Sequence, residues 1–373
     1  MLAARSADPA ELLRVLRAEF VTLPGALDLT MHLIDYRLVS LRPVETGDQP
    51  RVARPQPVEN TTLGQAFRTQ QPTAETAPAG QLWHVPISVR GQRLGVLSGT
   101  FRQSPDSAGQ AALNAFAFAA AHSLLEVSPG TDLYETTRRH GRLSVAAEMQ
   151  WQLLPARAFK TRRFCIAGHL EPALRVAGDT YDFVVDDHTL TAAVIDASRT
   201  DGAPSWPTTL AITALRNARR SGLPLYEQAS LASDVVWAQR GGRDHVSATL
   251  LHLDAHIGRA SIVHAGSPDL LRMRDGQVYA HTFDPQTPLG MFEGTRYSEQ
   301  RVDLQPGDRI YLLTDGAVAH DHTLPDLLAL LSTADYGPEQ SPPETVRRLI
   351  GTLLGGRDEP DDDITVVCLD WLR

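Results

Sequence analysis

Two short segments near the C-terminus share one design. Residues 311–316 read YLLTDG, and residues 361–367 read DDDITVV. Each places a carboxylate at the edge of an apolar, strand-like run, where the strand fixes the side chain and solvent or a metal can still reach it. Two earlier runs repeat the pattern, AGDTYDF at 177–183 and AAVIDAS at 192–198. Carboxylates at these four strand ends predict a metal centre with oxygen ligands.

The candidate ligands are Asp179, Asp196, Asp315 and Asp362. A two-metal site holds its ions about 3.5–4 Å apart and needs a bridging carboxylate together with others fixed on separate strands. The chain has no dense cluster of His and Cys, which argues against zinc. A solvated acidic loop is the alternative for the run at 359–363, but the apolar strand that follows favours a ligand role for Asp362.

Composition limits the class of protein. The chain has 373 residues, which predicts two domains, and its formal net charge of -9 argues against a nucleic-acid-binding surface. Its two cysteines, Cys165 and Cys368, predict neither a disulfide framework nor a thiolate metal site. Residues 1–9 show no secretory signal. The apolar run 111–127 is expected to be too short and too polar to span a bilayer, so a cytoplasmic protein is predicted.

The N-terminal part predicts a compact α/β unit. A helix is expected over 10–20 and a short helix over 63–71, before Pro72. Strands are predicted at 82–89 and 92–101, joined by a turn at Arg90-Gly91, and an apolar helix follows from Ala111. This order over residues 5–127 resembles a GAF domain. The resemblance implies binding of a small ligand or dimerisation, and a purely structural role stays open beside sensing.

The segment that follows predicts a linker. Ser128-Pro129-Gly130 breaks the chain, and residues 133–154 read as one helix that ends at Pro155. Two interpretations stay open: a plain linker helix packed on one neighbour, and a coiled-coil-like signalling helix that pairs two subunits.

From Phe164 onward, short strands in two blocks enclose inserted helices, which predicts an α+β sandwich. Helices are expected over 207–221 and 225–240. A third is expected to begin with a capping box formed by Ser341 and Glu344, and to end before Gly355-Gly356.

Residues 145–373 resemble the metal-dependent, type-2C-like protein phosphatases of the SpoIIE/RsbU group. The matching segments are QWQLLP at 150–155, AGDTYD at 177–182, VIDAS at 194–198, HAGSP at 264–268, TPLG at 287–290, the run 307–316, and DDIT at 362–365. The resemblance implies an αββα sandwich. The predicted organisation is a GAF-like regulatory domain at 1–128, a linker helix at 129–157 and a SpoIIE-type phosphatase domain at 158–373.

The resemblance also implies roles for individual residues. Asp196 would bridge two Mn²⁺ or Mg²⁺ ions, and the Ala197 carbonyl would complete one of them. Asp315 and Asp362 would hold the other ion, with Asp179 close by. Asp196, Asp315 and Asp362 are therefore the predicted catalytic residues. The implied reaction is hydrolysis of phosphoserine or phosphothreonine by water activated at the dinuclear centre, without a covalent enzyme intermediate.

Neighbouring positions depart from the family pattern. The resemblance suggests support rather than ligation for Asp363, and a bracing role at the loop for Asp182. The usual Gly-His-Gly after the bridging position is Arg199-Thr200-Asp201, the usual Asn-Ala-Gly-His is HAGS at 264–267, and a usual glutamate is Ala319. Whether these departures reduce activity stays open.

Three functional hypotheses follow. The first is an active Mn²⁺- or Mg²⁺-dependent phosphoprotein phosphatase, regulated by the N-terminal domain and acting in signal transduction or stress response. Its substrate would be a phosphorylated protein of the anti-anti-sigma-factor type, and it would need no nucleic acid or membrane. The second is a weakened pseudophosphatase that serves as a signalling or binding scaffold. The third places the main chemistry in the GAF-like domain, with a small ligand or an upstream signalling partner, and a homodimer is open in each case.

Overall fold

The computed structural model describes residues 8–45, 54–139, 141, 144–173, 178–197, 206–318, 323–357 and 359–372. The chain divides into two compact units, Met1–Arg142 and Leu143–Arg373, as the length predicts. The domain boundaries proposed from the sequence at 128 and 157 stay predictions.

The first unit is a mixed α/β layer. Its helices are α1 Leu12–Phe20, α2 Thr62–Thr69, α3 Ser107–Val127 and α4 Leu133–Arg138; its strands are β1 Ala26–Ile34, β2 Ser40–Pro43, β3 Gln56–Pro57, β4 Thr73–Ala77, β5 Gly80–Val89 and β6 Gln92–Phe101. The strands form one antiparallel sheet in the order β3-β2-β1-β6-β5-β4. Apolar residues of α1 and α3 pack with one face of the sheet, and residues of α2 belong to a second cluster with Ile34 and Val96.

The predicted hairpin of this unit is confirmed. Strands β5 and β6 pair antiparallel and are joined by Arg90 and Gly91, whose φ angles are 49° and 90°. Two left-handed residues are what a tight hairpin turn of this length requires. The assignment to the GAF family itself stays a prediction.

Helix α3 is longer than the sequence suggested. It begins at Ser107, where Asp106 accepts a hydrogen bond from the Gly109 amide. Among the described residues, the segment 107–130 is the one helix long and apolar enough to cross a membrane, and 44% of its most apolar 18-residue stretch is buried. The expectation that it is too short was therefore wrong. Because Leu113, Phe116 and Leu124 lie in the core of the unit, its apolarity has an explanation inside the fold.

The single helix predicted over 133–154 is also wrong. The structure has two short helices, α4 Leu133–Arg138 and α5 Val145–Leu153. Arg139 is extended, with φ −73° and ψ 136°, and Ser144 caps α5 by accepting a hydrogen bond from the Ala147 amide. Competition from this serine cap and from tertiary contacts outweighs helix propensity here. Tyr134 of α4 packs in the core of the first unit.

The second unit contains two sheets. Its helices are α5 Val145–Leu153, α6 Trp206–Arg220, α7 Leu225–Arg240, α8 Leu324–Leu331 and α9 Pro342–Leu354; its strands are β7 Ala158–Lys160, β8 Phe164–Glu171, β9 Thr180–Asp186, β10 Thr189–Ala197, β11 Val246–Asp254, β12 Arg259–Ala265, β13 Asp269–Arg274, β14 Gln277–Ala280, β15 Gln300–Asp303, β16 Arg309–Leu313 and β17 Ile364–Trp371. One sheet has the order β15-β12-β11-β10-β9, and the other has the order β14-β13-β16-β17-β8-β7.

These sheets form the predicted αββα sandwich. Side chains from both sheets share one buried cluster, which includes Tyr181, Val194, Leu312 and Val367. Residues of α6 and α7 pack on the outer face of the first sheet, and residues of α8 and α9 pack on the outer face of the second. The α+β class is therefore confirmed. Strand β16 lies between β13 and β17 and all its residues are buried, which explains the apolar run Ile310–Leu313.

The helix predicted after residue 341 is present, but its capping box is not. The side chain of Ser341 makes no capping hydrogen bond, although the residue occupies the N-cap position of α9. Glu344 instead pairs with Arg347 one turn later, at 2.7 Å, and both are buried. The predicted end is confirmed, since Gly355 has φ 57°.

The first unit holds a chain of buried polar groups. His84 Nδ1 lies 2.9 Å from Ser98 Oγ, and Ser98 Oγ lies 3.4 Å from His32 Nδ1. His84 Nε2 lies 3.3 Å from a Glu75 carboxylate oxygen. Burial and then the neighbouring His84 lower the pKa of His32 to about 4. Burial also lowers the pKa of His84.

We expect the first unit to lose stability in mild acid. The unfolded chain gains a proton near pH 6.5, whereas folded His32 stays neutral until about pH 4, so this contribution is lost as the pH falls between those values. Between pH 7.5 and pH 5, the free energy of unfolding should fall by about 2 kcal/mol more in the wild type than in His32→Gln. Urea unfolding at both pH values measures this. His122→Gln, on the exposed face of α3, is the control, and equal pH slopes for wild type and His32→Gln would refute the expectation.

Candidate metal centre

Two of the predicted ligands lie at one end of the second sheet. Strands β16 and β17 are antiparallel neighbours, so the residues that follow β16 and those that precede β17 meet there. Two hydrogen bonds extend the pairing: the Thr314 amide donates to the Thr365 carbonyl at 3.2 Å, and the Thr365 amide donates to Thr314 Oγ1 at 3.0 Å. Asp315 directly follows Thr314, and Asp362 lies two residues before the first residue of β17. Asp315 is exposed and Asp362 is half-buried.

The turn after Asp315 packs closely on the other segment. Residues Asp315–Ala317 form one turn of 3₁₀ helix. A Cβ atom added to Gly316 would lie 2.1 Å from the Asp363 carbonyl oxygen, which is far inside contact distance. Glycine is therefore required here by the approach of two backbones rather than by its φ angle.

The other two predicted ligands belong to the first sheet. Strands β9 and β10 are antiparallel and pair Thr180 with Ile195, so Asp179 and Asp196 lie at the same end of that sheet. Asp179 is 2% exposed and Asp196 is 9% exposed. Thr365 Oγ1 of the second sheet donates a long hydrogen bond, 3.4 Å, to Asp179. Ser267 Oγ donates to Asp196 Oδ2 at 2.6 Å.

Asp363 anchors this end of the sandwich. Its carboxylate accepts hydrogen bonds from the amides of Ala173, Gly178 and Asp179, at 2.8, 2.9 and 3.2 Å. Gln150 Nε2 of α5 donates to the same carboxylate at 3.0 Å and to the Asp179 carbonyl at 3.0 Å. The side chain is 1% exposed. With both oxygens occupied by backbone and amide donors, Asp363 supports the ligand positions around it.

The electrostatics reflect several carboxylates in one buried region. Burial, followed by the charges of Asp363 and Asp196, raises the pKa of Asp179 well above its usual range. Burial also raises the pKa of Asp196 to about 6, against the hydrogen bond from Ser267, and the charges of Asp315 and Asp362 add to the increase. Negative charge is therefore costly here without a cation.

The donor set suits a hard divalent cation. All the predicted side-chain ligands are carboxylates, which Mg²⁺ and Mn²⁺ prefer, and their mutual repulsion would be relieved by positive charge. In the part of the chain that the structure describes, no group of three or more His, Cys, Asp or Glu side chains already encloses a single point as metal ligands. The fit therefore rests on the donor chemistry and on the convergence of strand ends from both sheets.

A family model agrees with this architecture. The model for Stage II sporulation protein E, SpoIIE, matches residues 186–372, which is half of the chain. The chain belongs to the SpoIIE family. The matched residues lie in its second unit, which is called the SpoIIE unit below. The match includes Asp196, Asp315 and Asp362, and it begins after Asp179.

Several solved structures are similar to part of this chain. The RsbU and RsbW domains of a Mycobacterium tuberculosis protein are 20% identical, with a TM-score of 0.49, over 56% of this chain and 62% of that one. The PP2C phosphatase domain of SpoIIE from Bacillus subtilis, with a fragment of its regulatory domain, is 16% identical, with a TM-score of 0.47, over 55% and 63%. This chain thus spans less than two thirds of either.

A third solved structure contains metal. The catalytic domain of the serine/threonine protein phosphatase PstP, in complex with two manganese ions, is 18% identical, with a TM-score of 0.45, over 57% of this chain and 99% of that one. No curated protein matches this chain.

Other predicted positions of the SpoIIE unit have different roles or cannot be placed. Asp182 binds a helix rather than a loop: its carboxylate accepts from Arg216 and Arg219 of α6, each at 2.9 Å, and Arg216 also donates to the Leu153 carbonyl. Residues 199–201, Ala319 and Ala177 lie outside the described residues. Cys165 and Cys368 are both buried, and neither forms a disulfide.

Sequence reasoning missed two supporting side chains. Gln150 was noted only as part of the QWQLLP segment, and Ser267 only as part of the HAGSP segment and as a departure from the family pattern. Both donate to carboxylates of the site. The segment carrying Gln150 was a usable signal, whereas the contact of Ser267 with Asp196 spans 71 residues and has no local signature.

Asp363→Asn should destabilise the SpoIIE unit by about 2–3 kcal/mol, because an amide group would face N–H donors of Gly178, Asp179 or Ala173 in a buried position. Urea unfolding of the full chain measures the change. Asp361→Asn is the matched control. Asp361 is exposed and pairs with Arg357, so its variant should stay within about 0.5 kcal/mol of the wild type. Equal values for the two variants would contradict the anchoring role.

Gly316→Ala should also destabilise the unit, by roughly 1–3 kcal/mol, since the new methyl group forces apart the Asp315 and Asp363 segments. Gly351→Ala is the control. Gly351 lies in α9, where an added Cβ meets nothing within 4 Å, so alanine should stabilise the helix by up to about 1 kcal/mol. Thermal unfolding distinguishes the two, and a neutral Gly316→Ala would contradict the close approach.

Proposed function

We propose that the protein is a Mn²⁺- or Mg²⁺-dependent serine/threonine phosphatase that hydrolyses a phosphoprotein. The observation that carries this proposal is the convergence of four strand-end carboxylates from two sheets, with burial raising the pKa of Asp179 and Asp196. Membership of the SpoIIE family supports it.

The proposed ligands are Asp179, Asp196, the Ala197 carbonyl, Asp315 and Asp362, and they would hold two ions. When bound, such ions lower the pKa of water to make a nucleophile and polarise the phosphoryl group. The protein's own residues supply position. Ser267 holds the Asp196 carboxylate, and the Asp363 amide donates to Asp362 Oδ1 at 2.9 Å.

The exposure of the ligands suggests where a substrate would approach. Asp179 and Asp196 are buried, Asp362 is half-buried and Asp315 is exposed. A phosphorylated side chain would therefore meet the site from the side of Asp315. The buried pair would form the inner part of the centre.

The substrate and setting belong to the same proposal. A phosphorylated regulator of the anti-anti-sigma-factor type would be the substrate, in a cytoplasmic signalling pathway. The first unit would regulate turnover in response to a small ligand or a signalling partner. These assignments rest on the resemblance to the SpoIIE/RsbU group.

Asp315→Asn tests the activity. The 373-residue chain with Mn²⁺ should hydrolyse p-nitrophenyl phosphate and a phosphothreonine peptide. The variant should reduce kcat/KM by a factor of at least about 100, because one charged ligand is lost. Asp275→Asn is the control, since Asp275 lies in an exposed turn with φ 51°, which asparagine tolerates.

Chelation with EDTA should abolish turnover, and added Mn²⁺ should restore it. Absence of metal-dependent turnover on every phospho-substrate, in protein that is folded by circular dichroism, would reject the phosphatase proposal. That result would favour the pseudophosphatase scaffold.

A further inference from the structure

The carboxylate of Asp196 is held by a turn that differs from the family pattern. The turn joins β12 to β13 and contains HAGSP at 264–268. We propose that His264, Thr249 and Ser267 are positioning residues for Asp196: His264 and Thr249 fix the turn, and Ser267 fixes the carboxylate. This inference deepens the proposed function and rests on it.

The donor and the acceptor of each hydrogen bond at Thr249 can be assigned from its contacts. Thr249 of β11 lies opposite His264 of β12 in the sheet. Thr249 Oγ1 donates to the Pro268 carbonyl at 2.6 Å, because a carbonyl can only accept. The single hydroxyl proton is thereby used. The contact of 2.9 Å between Thr249 Oγ1 and His264 Nδ1 therefore has the imidazole N–H as its donor.

The environment of His264 agrees with this tautomer. Burial lowers the pKa of His264, which keeps the ring neutral at physiological pH. Its ring centroid lies 5.1 Å from that of Phe283. A neutral His264 ring that donates through Nδ1 fixes the position of the Thr249 hydroxyl. Thr249 in turn holds the carbonyl of Pro268, the residue after Ser267.

Gly266 allows the turn to close over the end of the strand. Its φ is +92°, and an added Cβ would lie 2.7 Å from Ser247 Oγ. Ser247 is the residue opposite Asp196 in the β10–β11 pairing. The turn therefore lies directly on the strand that neighbours Asp196, which brings Ser267 Oγ within 2.6 Å of the carboxylate.

His264 and Ser267, which depart from the family pattern, both make contacts that hold Asp196 in place. The family pattern has Asn-Ala-Gly-His, and this chain replaces its first and last residues. The first replacement supplies the donor that fixes Thr249, and the last supplies the hydroxyl that holds Asp196. Hydrogen-bonded partners of a ligand set its orientation and its basicity, so the two replacements act on metal affinity through Asp196.

Calorimetric titration of the full chain with Mn²⁺ alone tests the inference. Ser267→Ala should weaken Mn²⁺ binding about 10-fold, and saturating Mn²⁺ should bring kcat back towards the wild-type value. Ser261→Ala, on the same strand as His264 and away from the turn, should leave both unchanged. His264→Leu should weaken binding in the same way, and the double variant should be no weaker than the more affected single variant, because both act through one turn.

Two results would overturn the inference: Mn²⁺ affinities that are equal for Ser267→Ala and Ser261→Ala, or effects of Ser267→Ala and His264→Leu that add in full. If the wild type binds no Mn²⁺, the proposed function fails. Urea unfolding then tests the contact between Ser267 and Asp196 without any metal. Ser267→Ala should then lower the unfolding midpoint in the wild type and not in Asp196→Ala, whereas equal shifts in both backgrounds would overturn it.

Discussion

The carboxylate of Asp363 is the contact on which the site depends. It joins the start of β17 to the backbone that leads into β9 and to Gln150 of α5. One buried anion thereby brings together the ends of two sheets and a helix from outside them. Burying a carboxylate is costly, and donors from several directions offset that cost. The position of Asp179 follows, because its own amide is one of these donors.

The aspartates around Asp363 differ in what surrounds their negative charge. At Asp182 the charge is balanced by Arg216 and Arg219, so this residue serves to hold α6. At Asp179 and Asp196, burial and neighbouring carboxylates raise the pKa instead. Asp179 and Asp182, at the start of β9, therefore differ in role: Asp182 forms structural ion pairs, whereas Asp179 suits a cation.

Elements with a strong local signal were predictable. The hairpin of β5 and β6, the helices α6, α7 and α9, and the strand-end positions of the four aspartates all follow from periodicity and turn chemistry. Features in which one residue can form either of two alternative contacts were not predictable from the sequence. The break between α4 and α5 depends on the Ser144 cap and on packing, and Glu344 prefers Arg347 to the N-terminus of its helix.

The sequence by itself determined the α+β class, the division into two units and the carboxylates at the strand ends. These features follow from chain length, from the spacing of apolar residues and from the residue types at each position. Only the tertiary structure decided which side chains support them. Ser267 reaches Asp196 across 71 residues, and Gln150 reaches Asp363 across 213. Such contacts depend on how two sheets pack face to face, and no local pattern records that arrangement.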